Sequence, residues 1–233
     1  MKIIFLTSLD FHHKFIISSV YKKFKNLIII NDLKKISPSF ENNYKVNKLQ
    51  RDYEKKIWSK KRFIIPKTLK IKDANKILNI EKIKKLKPNL IITLGAIKLN
   101  KNFINNFKKI HIVNLHGGNP NYYRGLDSHY WSIYHNDFRN LKVCIHYIKD
   151  KLDTGKIIQI KNIKLFRDMK LYQLRSKNAE VAEKILSSYL SKFCKKKKIN
   201  SKENKSGRYY SFMPSSLKKI VDKKFNNFTK KIK

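Results

Sequence analysis

Glycine is almost absent from the first part of this chain. The whole sequence of 233 residues holds six glycines, and the first 94 residues contain none. Four of the six lie between positions 117 and 155. Because glycine serves where the backbone turns sharply or approaches a ligand closely, this clustering indicates a functional site in the stretch from His111 to Ile158.

Cysteine is also rare, and long apolar runs are missing. Cys144 and Cys194 are the only cysteines, which excludes a disulfide framework and matches no zinc-binding spacing. No run approaches the ~18 apolar residues that cross a bilayer. Asp10 and His12 interrupt the amino terminus before a signal peptide could develop. These absences predict a cytoplasmic protein with reduced thiols, no membrane partner and no bound metal.

Acidic residues are few as well. Sixteen Asp and Glu stand against 55 Lys and Arg, so the formal net charge is +39. Such a balance favours nucleic acid, an anionic surface or an anionic small substrate as partner. The lysines are nevertheless dispersed in pairs along the whole chain, which is equally typical of a composition bias towards lysine, isoleucine and asparagine. The charge alone therefore leaves the partner open.

Apolar periodicity predicts an α/β fold with a mostly parallel central sheet flanked by helices. The chain opens with an apolar run, a helical pattern ending at Phe24 and a second apolar run, which form strand, helix and strand. The first turn lacks the G-x-G-x-x-G pattern that marks dinucleotide-binding sites, which disfavours a dinucleotide cofactor. Residues 33–66 show no convincing period and are interpreted as an excursion from the sheet. The predicted strands cover residues 2–7, 27–30, 89–95, 110–115, 143–148 and 156–160, and the predicted helices residues 15–24, 74–86, 104–107, 126–134 and 171–193.

The length suits one domain with a short appendage. We expect a catalytic domain over residues 1–194, a basic linker over residues 195–207, and a small carboxy-terminal tail over residues 208–233 with room for a last helix.

An amide, an imidazole and a carboxylate fall within the glycine-rich stretch. Asn114 and His116 are two residues apart at the end of a predicted strand, so they point to the same side. Asp153 lies in a predicted turn. A carboxylate that orients an imidazole, beside an amide donor for an oxyanion, forms the machinery of acyl transfer without a protein nucleophile. Each motif alone is more often a cap, a core hydrogen bond or a turn.

Five other side chains of the stretch could compete for these roles, namely the hydroxyl of Ser128 and the imidazoles of His111, His129, His135 and His146. Ser128 is a nearby hydroxyl, but no G-x-S-x-G pattern surrounds it, which disfavours a serine hydrolase. His146 alternates with the apolar Cys144 and Ile148 and is interpreted as a core or pocket-wall histidine.

Five short motifs occur in a characteristic order. They are N-L-H-G from Asn114, Y-R-G from Tyr123, W-S-I from Trp131, C-I-H from Cys144 and L-D-T-G-K-I-I from Leu152. Together they resemble the folate-dependent formyltransferase family, and the resemblance extends more weakly from Lys2 to Phe193. It implies a Rossmann-like formyltransferase fold and an N-formyltransferase that uses 10-formyltetrahydrofolate as co-substrate.

The resemblance also implies roles for individual residues. Asn114, His116 and Asp153 match the family's catalytic residues: Asn114 and protonated His116 would stabilise an oxyanion, while Asp153 would hold His116. The cofactor-binding positions carried over by alignment are Gly95, Ile97, Lys98, Leu99, Lys149, Asp150 and Leu152. The expected substrate-binding positions are Gly117, Gly118, Asn119, Tyr123 and Arg124.

One departure from the family bears on the acceptor amine. Residues 118–121 read G-N-P-N where the family usually has S-L-L-P. The tail is too short for the carboxy-terminal barrel of methionyl-tRNA formyltransferases, so we expect a small anionic amine, such as a nucleotide-linked amino sugar, as acceptor. Methionyl-tRNA is the second candidate, and a non-catalytic binding protein on the same fold the third. The oligomeric state, including a dimer, stays open.

Overall fold

Seven strands form the central sheet of the computed structural model, which describes all residues from 1 to 233. The strands of the chain are β1 (Ile3–Thr7), β2 (Leu27–Asp32), β3 (Thr68–Ile71), β4 (Leu90–Leu94), β5 (His111–His116), β6 (Tyr123–Gly125), β7 (Lys142–Tyr147), β8 (Ile157–Asn162) and β9 (Arg208–Tyr210). The central sheet has the order β3-β2-β1-β4-β5-β7-β8, in which β7 runs antiparallel to both of its neighbours and all other pairs are parallel. A second sheet pairs β6 with β9.

Seven helices accompany the sheet. They are α1 (Phe11–Lys23), α2 (Lys45–Ile57), α3 (Ile77–Lys85), α4 (Lys101–Asn106), α5 (Ser128–Tyr134), α6 (Leu174–Cys194) and α7 (Ser215–Thr229), with 3₁₀ turns at Phe138–Asn140 and Leu171–Gln173. None of the helices combines the length and apolar character that a membrane span requires.

The apolar strands are buried on both faces of the sheet. Along β1, Ile3 and Phe5 enter the larger core with α1 and α6, whereas Ile4 and Leu6 enter the smaller core with α3 and α4. Alternate residues of a strand point to opposite faces, and strands covered on both sides read as continuous apolar runs. The predicted α/β architecture with a mostly parallel, helix-flanked sheet is confirmed.

The interpretation of residues 33–66 is wrong in one respect, because α2 lies within them. The buried positions of α2 are Val46, Gln50 and Glu54, at helical spacing but mostly polar. Arg175 of α6 pairs with the buried Glu54 through two bonds, Nε to Oε1 at 2.7 Å and Nη2 to Oε2 at 3.0 Å. A helical period is nevertheless present in the sequence and the interpretation overlooked it, because apolar or aromatic side chains recur at spacings of three and four residues at positions 46, 49, 53 and 57.

The carboxy-terminal segment shares the larger core. Val221 and Phe225 of α7 are fully buried in it, and Phe228 stacks on Phe138 with ring centroids 3.7 Å apart. The segment between α6 and α7 supplies β9, which pairs with β6 beside the glycine-rich stretch.

Candidate active site

The three residues singled out by the motifs meet at the carboxyl end of β5. Asn114 and His116 are on this strand, and Asp153 is on the turn that follows β7, with a positive φ of 53°. His116 and Asp153 are buried, with 8% and 5% of their surfaces exposed. Ligands of open α/β sheets bind at this edge, so the topology places these groups where a substrate site is expected.

We call Asp153 and the side chains that contact it, Asn114 and His116 among them, the cluster. Asp153 makes contacts with each of the others. Its Oδ2 accepts a hydrogen bond from the Gly125 N–H at 2.8 Å, and its Oδ1 accepts one from Asn114 Nδ2 at 3.2 Å. His116 Nδ1 lies 3.7 Å from Oδ2, which is ion-pair range and longer than a direct hydrogen bond. Gly125 has a positive φ of 91°, a conformation that favours glycine and that here presents its N–H to the carboxylate.

The amide of Asn114 has a defined orientation. Thr93 at the end of β4 donates from Oγ1 to Asn114 Oδ1 at 2.7 Å. The amide nitrogen is thereby directed to the side of Asp153 and the cavity. An N–H donor held in advance near a developing negative charge is the arrangement that stabilises an oxyanion.

His146, interpreted from the sequence as a core or pocket-wall histidine, is buried and lines a small cavity of about 50 Å³. It is also a fourth member of the cluster around Asp153, which the sequence did not predict. Its Nε2 lies 3.3 Å from Asp153 Oδ1 and 3.3 Å from Asn114 Nδ2, and its Nδ1 lies 2.8 Å from the Tyr147 carbonyl oxygen. A carbonyl oxygen can only accept, so Nδ1 carries the proton and Nε2 is the free acceptor in the neutral ring. The antiparallel register that pairs Asn114 with His146 brings it here.

Burial and charge set the protonation states of the cluster. Burial alone would raise the pKa of Asp153, but the neighbouring His116 and His146 and the Gly125 N–H outweigh it and hold that pKa well below its usual range. Burial lowers the pKa of His116, and the attraction of Asp153 offsets only part of this effect. At neutral pH the pair therefore consists of an ionised Asp153 and a neutral His116.

Three adjoining cavities meet at these residues. One of about 230 Å³ lies over the cluster, one of about 50 Å³ lies beyond Asn114 and Asp153, and one of about 450 Å³ lies beyond His116. The 230 Å³ cavity is lined by residues that include Asn114, His116, Asp153, Gly95, Gly117, Leu152, His12, His13 and Asn178. No group of three His, Cys, Asp or Glu side chains is arranged to hold a metal ion.

Most of the positions expected to bind the cofactor flank the smallest cavity. Its lining includes Ile97, Lys98, Leu99, Lys149 and Leu152, and Gly95 and Leu152 line the 230 Å³ cavity. Asp150 is the exception. Its exposed carboxylate lies outside all three cavities, 3.8 Å from the Nζ of Lys101.

The positions expected to bind substrate divide into two groups. Gly117 lines two of the cavities, and a Cβ at Gly118 would lie only 2.7 Å from His116 Nε2, so Gly118 makes room for the imidazole. The other three side chains bond within the protein. Asn119 donates to Asn140 at 2.6 Å, the Tyr123 hydroxyl donates to Asp137 at 3.1 Å, and Arg124 donates to the Leu152 carbonyl oxygen at 3.1 Å.

Two histidines of α1 face the cluster and were not predicted. His12 and His13 line the 230 Å³ cavity, their ring centroids 4.0 Å apart. His12 Nδ1 is buried without a hydrogen-bond partner. Burial lowers the pKa of both rings, that of His13 to about 4. No sequence signal marked them for this role, because both residues lie before the predicted helix of residues 15–24 and far from the motifs.

The buried histidines predict a loss of stability in mild acid. Burial lowers the pKa of His13 and His129 from 6.5 to about 4, so between these values the unfolded chain binds more protons than the folded one. Stability must fall as the pH drops from about 6.5 to about 4, by on the order of 3 kcal/mol for the buried ring of His13 and by less for His129, which is partly exposed.

Thermal unfolding midpoints measured across this range check the prediction. The variant His129→Gln, which cannot titrate, should show a shallower decline than the wild type. A midpoint that stays level between pH 6.5 and 4 in the wild type would contradict the assignment of neutral buried rings.

Comparisons with known proteins agree with this geometry. A family model described as formyl transferase matches residues 17–190. Methionyl-tRNA formyltransferase of Finegoldia magna is 27% identical over 144 residues, which cover 60% of this chain and 44% of that protein. The match therefore spans less than half the length of this curated relative.

Two solved structures share the fold. A 4-N formyltransferase from Francisella tularensis superimposes with a TM-score of 0.62 at 17% identity, covering 90% of this chain and 76% of that chain. The formyltransferase PseJ from Anoxybacillus kamchatkensis, in complex with UDP-4,6-dideoxy-4-formamido-L-AltNAc and tetrahydrofolate, gives a TM-score of 0.56 at 18% identity, covering 91% and 86%.

Proposed function

This chain belongs to the formyl transferase family, as its motifs predicted, and we propose that it transfers a formyl group from 10-formyltetrahydrofolate to the primary amine of a nucleotide-linked amino sugar. The observation that carries the proposal is the convergence of Asn114, His116 and Asp153 beside a cavity, with bond partners that orient the amide and the carboxylate.

The two loops that flank the smallest cavity suit a folate ring. The backbone N–H groups of Ile97 and Lys98 make no hydrogen bond within the chain, so they are free to bind a heterocycle that carries donors and acceptors. Apolar side chains of Ile97, Leu99 and Leu152 provide the surrounding surface. At about 50 Å³ this cavity is well below the ~300 Å³ of ordinary ligand pockets, so the loops have to separate when the donor binds. 10-Formyltetrahydrofolate bound there would supply the formyl group.

The protein's own groups then account for the transfer. Asn114 donates its amide N–H to the formyl oxygen as negative charge develops there. His116 takes a proton from the amine as the amine nitrogen bonds to the formyl carbon, and the ionised Asp153 stabilises the resulting imidazolium. The imidazolium would return that proton to the donor nitrogen as its bond to the formyl carbon breaks, which regenerates the neutral His116. The resemblance suggested a His116 that is protonated from the start, whereas its lowered pKa favours a ring that is neutral until the amine delivers the proton.

The 450 Å³ cavity favours a small polar acceptor. It opens directly from His116 and Gly117, and its size lies within the range of small-molecule sites. Amide and cationic side chains lie in the lining together with the carboxylate of Asp127. The amide and cationic residues are Asn42, Asn47, Gln50, Asn178, Arg51, Arg175 and Lys218. Arg175 is paired with Glu54, and Lys218 with Asp127. Arg51 is therefore the cation of the lining that is left to attract an anionic, hydroxylated molecule. The sugar-nucleotide product held by PseJ supports this class of acceptor.

Methionyl-tRNA is the second candidate acceptor. The relative from Finegoldia magna and the net charge of +39 favour it. The match covers less than half of that protein, however, so more than half of the relative has no counterpart in the alignment.

An acceptor assay separates these functions. The protein is incubated with 10-formyltetrahydrofolate and, in parallel, with a panel of nucleotide-linked amino sugars or with methionyl initiator tRNA. We expect tetrahydrofolate release, and a product heavier by one formyl group, only with an amino sugar. Product only with tRNA would replace the first candidate by the second, and no product with either would favour a non-catalytic protein. The Asp153→Asn variant is the matched negative control.

A further inference from the structure

The segment between α6 and α7 runs along the elements that surround the candidate site. We name residues 202–213 the strap. At its start, Lys202 and Ile157 of β8 exchange two backbone hydrogen bonds of 2.8 Å. Further along, β9 pairs with β6, and the Met213 N–H donates to Asp127 Oδ2 at 2.9 Å. The strap is therefore fastened at several points to the elements around the site.

Asn204 ties the strap to the turn that carries Asp153. Its Nδ2 donates to the carbonyl oxygens of Asp153, at 2.9 Å, and of Gly155, at 3.1 Å. Its Oδ1 accepts from the Ser206 N–H at 2.8 Å, which fixes the orientation of the amide. Asp153 adopts a left-handed conformation that few residues other than glycine populate. The two bonds from Asn204 stabilise the turn in that conformation.

The strap also holds the strand that faces the turn. The Gly207 N–H donates to the Pro120 carbonyl oxygen at 3.0 Å. Arg124 of β6 donates through Nε to the Gly207 carbonyl oxygen and through Nη1 to the Leu152 carbonyl oxygen at 3.1 Å. The Gly125 N–H of β6 donates to Asp153 Oδ2. The strap therefore contacts both β6, which carries this N–H, and the turn that carries Asp153.

We propose, resting on the function proposed above, that Asn204 is a positioning residue that sets the place of the Asp153 carboxylate through the backbone of its turn. Asn204 lines none of the three cavities at the site and bonds only to main-chain groups, so it leaves the carboxylate free for Asn114, His116 and His146. A displacement of about 1 Å at a reacting group can cost about 10²-fold in rate, so the loss of two anchoring bonds acts on turnover.

The test compares Asn204→Ala with Asn200→Ala, a control at an exposed residue whose side chain makes no hydrogen bond. We expect Asn204→Ala to lower kcat between tenfold and about 10²-fold while KM for the acceptor stays within about threefold. Asn204→Gln, which keeps the amide donor, should recover part of the loss. A kcat that stays within twofold of the wild type in Asn204→Ala would overturn the proposal, as would an equal loss in the control.

Nuclear magnetic resonance gives a readout that does not require the reaction. The imidazole signals of His116 and His146 report on the adjacent carboxylate, and we expect them to move in Asn204→Ala and to stay in Asn200→Ala. Unmoved signals would overturn the positioning role. If the wild type transfers no formyl group, the proposed function fails, and the imidazole signals alone decide the role of Asn204. Asn204→Asp, which keeps the shape and removes the donors, replaces the alanine variant should that variant not fold.

Discussion

Replacing Asp153 with asparagine will lower kcat by about 10³-fold, within the range that a positioned acid–base group contributes. Two different oxygens of the carboxylate accept bonds, one from Gly125 N–H and the other from Asn114 Nδ2. An asparagine amide offers a single acceptor, so one of the two donors would face its NH₂ group. The variant also removes the negative charge that stabilises a protonated His116.

Steady-state kinetics with the acceptor found in the assay measure this effect. Asp168→Asn is the matched control, because Asp168 is an exposed aspartate with a similar positive φ of 59°. Asparagine tolerates this conformation at both positions, so backbone strain is equal in the two variants. The control should keep wild-type turnover. An Asp153→Asn protein that is folded, by thermal unfolding, and keeps kcat within tenfold of the wild type would refute the role of the carboxylate.

The second large effect is expected for Asn114→Ala, a loss in kcat of about 10²- to 10³-fold, as found when an oxyanion donor is removed. Thr93 directs the amide nitrogen into the site, so alanine removes a donor that was in place before the reaction. Because this donor acts mainly on the charge of the transition state, KM for the acceptor should change little.

Two further variants sharpen this result. Asn162→Ala removes an exposed amide at the end of β8 and should leave turnover unchanged. Thr93→Val keeps Asn114 but removes the hydroxyl that orients it, and should cost less than Asn114→Ala. A variant Asn114→Ala with raised KM and normal kcat would show that the amide binds the ground state instead.

Local patterns predicted the elements whose burial is apolar. The inner strands β1 and β4 are covered on both faces, so their sequences are nearly continuous apolar runs, and α6 carries an apolar stripe. The interpretation failed at α2 and at β3. The buried face of α2 holds Gln50 and Glu54, and β3 is an edge strand in which Ile71 is the one buried residue. Both elements carry a short hydrophobic period, but it lies among polar and basic residues and was overlooked.

The residues of the candidate site also fall into those that local patterns predicted and those that they missed. Spacing on one strand was sufficient to place Asn114 and His116 on a common side, and the turn signal around Gly155 placed Asp153 in a loop. The assignment of His146 to the pocket wall missed its contact with Asp153, since alternation along β7 shows which face a residue occupies and not what lies across from it.

The sequence by itself determined the sheet-and-helix architecture, the family and the residues of the chemical motif, because apolar periodicity and short motifs are local properties. Only the tertiary structure decided which groups complete the cluster. The register between β5 and β7 brings His146 to Asp153, and the strap brings Asn204 to the same turn across 51 positions. Such contacts depend on how distant segments pair, and no local pattern of residues encodes that pairing.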